Sequence, residues 1–220
     1  MSEKKHCPDS TGIQFFGRVS ASISHEIKNV LAIMNENAGL LEDFVMMAGK
    51  GVPLSNERLD GLAITLHKQI KRADGIVKKM NQFAHSADRP LEKVDLYDAI
   101  CLVTDICGRM IELKKVNINT IQPAIPVTVN THRFYVQNML WTCIDGIMTV
   151  LNPEDTLEVG LEKVENGAEI IFSCEHLPKN GMLENQYPEE ATALMDYLQA
   201  EVVDEAASGK MRIRLPNEMH

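Results

Sequence analysis

The sequence predicts an α plus α/β protein, in which an antiparallel helical hairpin precedes an α/β domain. Before Asp88-Arg89-Pro90, apolar side chains recur at steps of three, four or seven, the period of amphipathic helices. After this segment the pattern changes to short alternating runs, helical stretches and turn signals, which indicate strands mixed with helices. We therefore predict a disordered start (residues 1–11), the hairpin (12–87) and the α/β domain (92–220).

The first helix is predicted from about Ile13 to Met47, because residues 49–53, GKGVP, supply helix breakers. Its apolar stripe consists of Phe16, Val19, Ile23, Ile27, Val30, Met34, Leu41 and Phe44. At about 100° per residue, His25 lies roughly 200° and Asn29 roughly 240° from the centre of the stripe, so both are expected to face solvent. Glu26 lies between the two faces, at roughly 300°.

The second helix is predicted to begin near Ser55, a suitable N-cap, with Arg58 rather than an acid at the capping-box position. Its stripe consists of Leu59, Leu62, Leu66, Ile70, Ala73, Val77, Met80 and Ala84. Two helices cannot bury such stripes fully by themselves. A second copy of the chain is therefore expected to complete a four-helix bundle.

The α/β domain is predicted to begin with a helix that is capped by Asp95 and runs to about Leu113. Glu165-Asn166-Gly167 predicts a tight turn between two strands, and Trp141 is predicted to be a core residue. The remaining elements are strands at 116–121 and 127–129, a helix at 132–151, strands at 157–164 and 168–174, a helix at 188–198, and strands at 202–206 and 211–215 that join at Ser208-Gly209.

The composition argues against several classes of protein. Lys and Arg number 22 against 31 Asp and Glu, and the net charge of -9 disfavours nucleic acids and acidic membranes as partners. No run approaches the ~20 apolar residues of a membrane span, and the start, MSEKKHCPDSTG, lacks an apolar signal core, so we expect a cytoplasmic protein. The five cysteines and seven histidines have no metal-site spacing, so we expect no bound metal.

Residues 15–44, FFGRVSASISHEIKNVLAIMNENAGLLEDF, resemble the phosphoacceptor helix of the sensor histidine kinases. The H-box of that family reads His-Glu-(apolar)-basic-Asn-Pro-Leu. Residues 25–29 and Leu31 match it, while Val30 stands in place of the proline. The resemblance covers about residues 13–216. It implies that His25 is the phosphoacceptor, that the hairpin dimerises with one His25 on each side, and that the second domain is an ATP-binding-type two-layer sandwich.

The second domain departs from the family at three places. Asn138 matches the first asparagine of the N-box, but Thr142 replaces the second, which ligates Mg²⁺ in the family. Glu175 stands where the family has Asp-x-Gly-x-Gly, and no glycine follows it until Gly181. Residues 184–190, ENQYPEE, bring three acids and no glycine to the expected phosphate loop. We therefore expect a degenerate nucleotide site near Asn138, Thr142 and Glu175, and no cofactor bound by this chain.

These features together predict a histidine phosphotransferase, or pseudo-kinase, of a two-component phosphorelay. His25 is expected to be the nucleophile through Nε2, Glu26 to hydrogen-bond its imidazole, and Asn29 to support a phosphatase activity. The expected partners are receiver domains of response regulators or of a hybrid kinase, which supply Mg²⁺ and dock near Phe15, Phe16, Gly17, Arg18, Ser22 and Asn29. A divergent active kinase and a non-catalytic scaffold that binds a response regulator are the alternatives.

Overall fold

The computed structural model describes residues 9–177, 189–205 and 209–219. The helices in these ranges are α1 (Asp9–Gly49), α2 (Asn56–Ala84), α3 (Leu96–Ile106), α4 (Gly108–Lys114), α5 (Arg133–Met148) and α6 (Glu189–Leu198). The strands are β1 (Glu92–Asp95), β2 (Asn117–Thr120), β3 (Thr128–Thr131), β4 (Thr156–Val164), β5 (Gly167–Ser173), β6 (Glu201–Glu205) and β7 (Lys210–Pro216). None of the described helices is both long and apolar enough to cross a membrane.

The chain divides into two compact units, and the division falls inside the two long helices. One unit is the helical hairpin of residues 20–82. The other combines the first part of α1, up to Val19, with the described residues from Phe83 onward. The predicted hairpin and α/β domain are thus both present, but the α/β unit also contains both ends of the hairpin.

The hairpin turns at Gly51, whose φ of 86° lies in the left-handed region that glycine adopts without strain. The backbone amide of Arg58 donates to Ser55 Oγ at 3.4 Å, which confirms the predicted cap of α2. Farther along, Arg58 lies over the ring of Phe44, and Arg72 lies near Glu26. In both contacts the residue numbers add to roughly 100, as in two antiparallel helices that run side by side.

The α/β unit is built on a five-stranded sheet with the order β2-β4-β5-β7-β6. β2 pairs parallel with β4, and the other pairs are antiparallel. Alternate residues of the three central strands are buried: Leu157, Val159, Ala168, Ile170, Phe172, Met211, Ile213 and Leu215. This face meets the apolar residues of α3, α5 and α6 in a two-layer sandwich, as predicted, and Trp141 is confirmed as a core residue.

Two local predictions were wrong. Strand β1 was not expected, because its partner β3 lies more than thirty residues away and no turn signal joins them. The helix expected to run to Leu113 is instead two helices, since α3 ends before Cys107 and α4 begins at Gly108. Glycine weakens the interior of a helix more than any residue type except proline, which explains the break. The Asp95 cap is confirmed by bonds from the amides of Tyr97 and Asp98. Pro188, Ala206 and Ser208, at the ends of other predicted elements, lie outside the described residues.

An aromatic cluster holds the hairpin ends inside the α/β unit. Phe83, at the end of α2, is fully buried and contacts Phe15 and Phe16 of α1 at ring-centroid distances of 5.3 and 5.6 Å. Its third neighbour is Phe134 of α5, at 5.8 Å. Such ring pairs contribute about 0.5–1.5 kcal/mol each beyond the area that they bury. One side chain therefore fixes α1, α2 and α5 to one another.

A buried acid lies on the other face of the sheet. Glu169 of β5 is 4% exposed and accepts hydrogen bonds from Arg214 at 2.6 and 2.9 Å and from Arg212 at 3.1 Å. The hydrogen bonds from Arg214, followed by those from Arg212, outweigh the effect of burial and hold the pKa of Glu169 below its ordinary value. The carboxylate thus joins β5 to β7 in addition to the backbone ladder.

We predict that Glu169→Gln lowers the free energy of unfolding by about 1–3 kcal/mol at pH 7, because two arginines lose their charged acceptor. The depressed pKa makes this contribution complete above the ordinary glutamate pKa of about 4.3 and lost as the pH falls below it. Urea unfolding of both proteins at pH 7 and near pH 3.5 should therefore show a difference that shrinks with acid. Glu162→Gln, at an exposed partner of Arg212, is the control and should cost less than about 1 kcal/mol. An equal loss at both pH values would contradict the assignment.

Candidate functional site

His25 lies in the middle of α1 with its side chain exposed. Asn29, one helical turn later, is exposed as well, and Glu26 is half-buried. The exposure expected from the helical period is therefore confirmed for all three residues. A histidine in this setting is accessible to another protein, which is the first requirement for a phosphoacceptor.

Glu26 turns toward the second helix. Its Oε2 lies 4.0 Å from Nη2 of Arg72 on α2, at the limit of an ion pair, and the arginine side chain is half exposed. At this distance and exposure the pair contributes at most about 1 kcal/mol. It does, however, hold a cation beside the histidine helix. The role of Glu26 as a hydrogen-bond partner of the imidazole stays a prediction.

Helical geometry gives the hairpin two distinct sides. Measured about each helix from the side that faces its neighbour, at about 100° per residue, His25 and Asn29 lie roughly 140° and 100° in one sense. Because the helices are antiparallel, the same sense on α2 points to the same side of the hairpin. This polar side includes Lys68, Arg72 and Lys79, and the Glu26–Arg72 contact lies on it.

The opposite side of the hairpin is apolar and uncovered. On α1 it carries Leu31 and Val45, which are 56% and 62% exposed. On α2 it carries Ile70 and Val77, which are 50% and 48% exposed, although the sequence pattern places both in the apolar stripe. Ala38 and Ala63 complete this apolar side. The stripe of each helix is thus wider than one neighbouring helix can cover.

The candidate nucleotide residues on α5 lie on a face that is already packed. Asn138 is 1% exposed, and the hydroxyl of Thr142 donates to its backbone carbonyl at 2.9 Å. Phe134, Asn138 and Asp145 share one face of α5, since they are spaced by four and seven residues.

The start of α1 contacts both ends of that face. The ring of Phe15 lies 6.0 Å from Phe134, and Nη1 of Arg18 lies 3.8 Å from Oδ2 of Asp145. A Cβ added to Gly12 would come within 3.0 Å of the Phe134 ring, so glycine permits the close approach of the two helices. Asn138 lies between these contacts. Because Phe15 and Ser22 are buried, they are not available as the docking residues that we expected.

Glu175 lies elsewhere in the α/β unit. It lines an open surface pocket of about 350 Å³ together with Thr156, Glu158, Ser173, Cys174, Gly209 and Lys210. Neither Asn138 nor Thr142 is among the described residues of this pocket. Residues 184–188 of the expected phosphate loop lie outside the described part of the chain. The degenerate nucleotide site stays a prediction.

Buried polar atoms on α5 remain without partners. The side-chain amide of Gln137, Nδ2 of Asn138 and Nε1 of Trp141 make no hydrogen bond to any described residue. Such groups cost about 1–3 kcal/mol each unless water satisfies them. Nor does any group of three or more His, Cys, Asp or Glu side chains in the described ranges form a cation site. Mg²⁺ supplied by a partner stays an expectation.

Two features of the region around His25 and α5 were not predicted from the sequence. The first is the packing of α1 on α5, for which the adjacent Phe15 and Phe16 were the available signal. The second is the set of cations beside His25, which the basic run HKQIKR at residues 67–72 already contained. Neither has a short motif, because each depends on which helices become neighbours.

No family model matches the chain, and no curated protein matches it. Among solved structures, the chain is similar to the Acinetobacter baumannii histidine kinase AdeS, with 14% identity and a TM-score of 0.49 over 87% of this chain and 97% of that one. The catalytic domain of histidine kinase ThkA has 8% identity and a TM-score of 0.49 over 60% of this chain and 100% of its own. The mycobacterial sensor histidine kinase MprB has 13% identity and a TM-score of 0.44 over 59% and 99%. These structures belong to the family that the H-box resembles, and at this level of likeness they assign no activity to this chain.

We predict that Thr142→Asn, which restores the second N-box asparagine, does not create a nucleotide site. The packed face of α5 and the lack of a glycine between Glu175 and Gly181 remain as they are in the variant. Titration with a fluorescent ATP analogue and Mg²⁺ should give no saturable binding up to about 1 mM, for the variant and for the parent protein. Micromolar binding by the variant would mean that this one side chain is all that the site lacks.

Proposed function

We propose that this protein is a histidine phosphotransferase, in which His25 takes a phosphoryl group from the aspartyl phosphate of a receiver domain and passes it to another receiver. The observation that carries the proposal is the exposed His25, with Asn29 one turn on and Arg72 beside Glu26, on the polar side of the hairpin. A second domain whose N-box positions lie on a packed helix supports a donor other than ATP.

The chemistry asks little of this chain beyond positioning. The neutral imidazole attacks phosphorus through the Nε2 lone pair, the bond from phosphorus to the aspartyl oxygen breaks, and the partner regains a free carboxylate. The imidazole becomes a phosphorylated cation and then releases its Nδ1 proton to solvent. A nearby carboxylate such as Glu26 stabilises that cation while it exists. The reverse step delivers the phosphoryl group to a second aspartate.

Dimerisation is part of the proposal. The apolar side of the hairpin is uncovered in the single chain, and a second copy of the same side would bury it about a two-fold axis. The polar side, with His25, would then remain open on both protomers. A four-helix bundle of this kind satisfies both stripes without any additional segment.

We predict that Ile70→Glu dissociates the dimer, because it places a charge on the apolar side. Light scattering at micromolar concentration should give the mass of one chain for this variant and of two chains for the parent. Ile64→Glu is a matched control: Ile64 is 68% exposed on the same helix but lies on the back of the helix, away from the apolar side, so its variant should stay dimeric. A monomeric parent protein, or dissociation by both substitutions, would overturn this part of the proposal.

Asn29 supports a second activity at the same site. Its exposed amide lies one turn from His25 and on the same side, a position from which it can orient a water toward a docked aspartyl phosphate. The protein would then also hydrolyse the phosphoryl group of its partner. In that case Asn29→Ala should lengthen the lifetime of the phosphorylated receiver and leave transfer to His25 intact.

The direct test of the proposal is transfer from a receiver. Receiver domains encoded in the same genome would be phosphorylated with labelled acetyl phosphate, freed of the donor, and mixed with the protein and Mg²⁺. We predict acid-labile label on His25 from at least one receiver, and none from labelled ATP alone. His25→Gln should remove at least 99% of the label, because amide nitrogen is not a comparable nucleophile.

His67→Gln is the control for nonspecific histidine labelling, since His67 is also exposed on the hairpin. It should be labelled like the parent protein. Label on His25 from ATP alone would favour the divergent kinase. Receiver binding without any label would favour the scaffold.

A further inference from the structure

The charges of the hairpin are segregated along its length. At the level of His25, the polar side of α2 carries Lys68, Arg72 and Lys79, and α1 adds Lys28 nearby. Toward the turn, acidic residues dominate: Glu36, Glu42, Asp43, Glu57 and Asp60. The basic band is therefore local, in a protein whose net charge is -9. Composition alone gives no reason for cations to collect beside the one candidate nucleophile.

The three cations on the polar side of α2 lie on one stripe of the helix surface. Lys68, Arg72 and Lys79 are spaced by four and seven residues, so they fall within roughly 40° of one another on the helix. Between them lies Gly75, where an added Cβ would meet no atom within 4 Å. The stripe thus has an open gap at its centre, where a partner can approach the backbone of α2.

Arg72 has an acidic partner within the hairpin. Arg72 lies near Glu26, so its charge is partly balanced within the hairpin. Lys68 is exposed one turn away. The acids of α2 nearest to it in sequence lie away from the polar side by the same angular count, Asp60 toward the back of the helix and Asp74 toward the apolar side. Lys68 is therefore a cation that a docked protein can use.

We propose that this stripe of Lys68, Arg72 and Lys79, called here the cation stripe, is the electrostatic docking element for the receiver that exchanges phosphoryl groups with His25. The inference rests on the proposed function and names which side of the hairpin the partner contacts. A receiver that forms an aspartyl phosphate and holds Mg²⁺ carries several carboxylates at its site. That cluster complements the stripe, and the phosphoryl group adds further negative charge.

Nucleic acids and anionic membranes are the other polyanions that a basic band can bind. Both present extended negative surfaces, which would meet the acids toward the turn of the hairpin and a net charge of -9. A compact acidic site on a small domain meets only the basic band. The charge distribution therefore favours a receiver.

The test measures docking separately from phosphoryl transfer. Unphosphorylated receivers of the same genome would be immobilised, and association rates of the full-length protein would be measured at 50 and 300 mM NaCl. We predict that Lys68→Glu slows association with the cognate receiver by about 5–20-fold at 50 mM salt and by about 2-fold at 300 mM, since salt screens interactions between exposed charges. Circular dichroism would verify that the variant is folded.

Lys71→Glu is the matched control. It makes the same change of charge at nearly the same height of α2, but Lys71 lies on the back of the helix, roughly 160° from the side that faces α1. Its association rate should stay within about 2-fold of the parent. Equal slowing by the two substitutions, or an effect of Lys68→Glu that salt does not reduce, overturns the proposal.

The remaining outcomes separate the two proposals. If a receiver docks in a charge-dependent way but His25 is not labelled, the cation stripe stands as a docking element and the proposed phosphotransferase activity is wrong. If His25 is labelled but the two lysine variants associate at the same rate, the proposed phosphotransferase activity stands and the docking role of the cation stripe is wrong. If no receiver docks and Lys68→Glu instead abolishes binding to duplex DNA or to phosphatidylserine vesicles, the partner class is wrong.

Discussion

The packing of Phe83 against three other aromatic rings is the interaction on which the arrangement of the two long helices depends. Phe83 stands at the last turn of α2, is fully buried, and touches aromatic rings of both α1 and α5. With this end of the hairpin fixed and the other end set by the Gly51 turn, the register of two antiparallel helices has little freedom. The proximity of Glu26 to Arg72 follows from that register. The neighbours of His25 are therefore decided by a hydrophobic contact far from it in sequence.

The same aromatic cluster bears on what the second domain can do. The start of α1 packs against α5 through Phe15, Arg18 and the close approach at Gly12. Asn138 lies on the face of α5 between these contacts and is buried. A residue that binds a nucleotide has to be accessible to it. The sandwich keeps its sheet and its helical layer without presenting that helix to solvent. This packing agrees with the proposal that another protein, rather than ATP, supplies the phosphoryl group.

Helical periodicity divides the hairpin into an apolar side and a polar side. One part of the apolar stripe of each helix packs against the neighbouring helix. Another part, which includes Leu31 on α1 and Ile70 on α2, is left uncovered. His25 and the cation stripe lie on the opposite side, where burial against a second copy would not reach them. One pattern of apolar and polar residues thus accounts for both the proposed dimer surface and the exposure of the proposed phosphoacceptor.

Much of this could be predicted from the sequence where the signal is local. The Asp95 cap, the Asn166-Gly167 turn and the exposure of His25 each depend on a few neighbouring residues. What could not be predicted depends on distant partners. Strand β1 exists because β3 pairs with it across more than thirty residues, and Phe134, one turn before Asn138, contacts a helix more than a hundred residues earlier.

The apolar stripe of α2 shows how precisely a periodic sequence pattern can predict which residues are buried. Ile70 is more hydrophobic than its neighbour Gln69, but Gln69 is buried and Ile70 is half exposed. Both positions fit a seven-residue repeat, so the period alone cannot separate the side that meets α1 from the side that meets a second copy. The contact of Arg72 with Glu26 makes that distinction.

The central claim is that His25 receives its phosphoryl group from an aspartyl phosphate. Phosphorus NMR of the protein mixed with a phosphorylated receiver and Mg²⁺ observes the bond itself. A phosphohistidine resonance that appears as the aspartyl-phosphate resonance declines, and that is absent for His25→Gln, is the predicted result. A phosphohistidine resonance that forms with Mg²⁺ and ATP in the absence of any receiver would contradict the account.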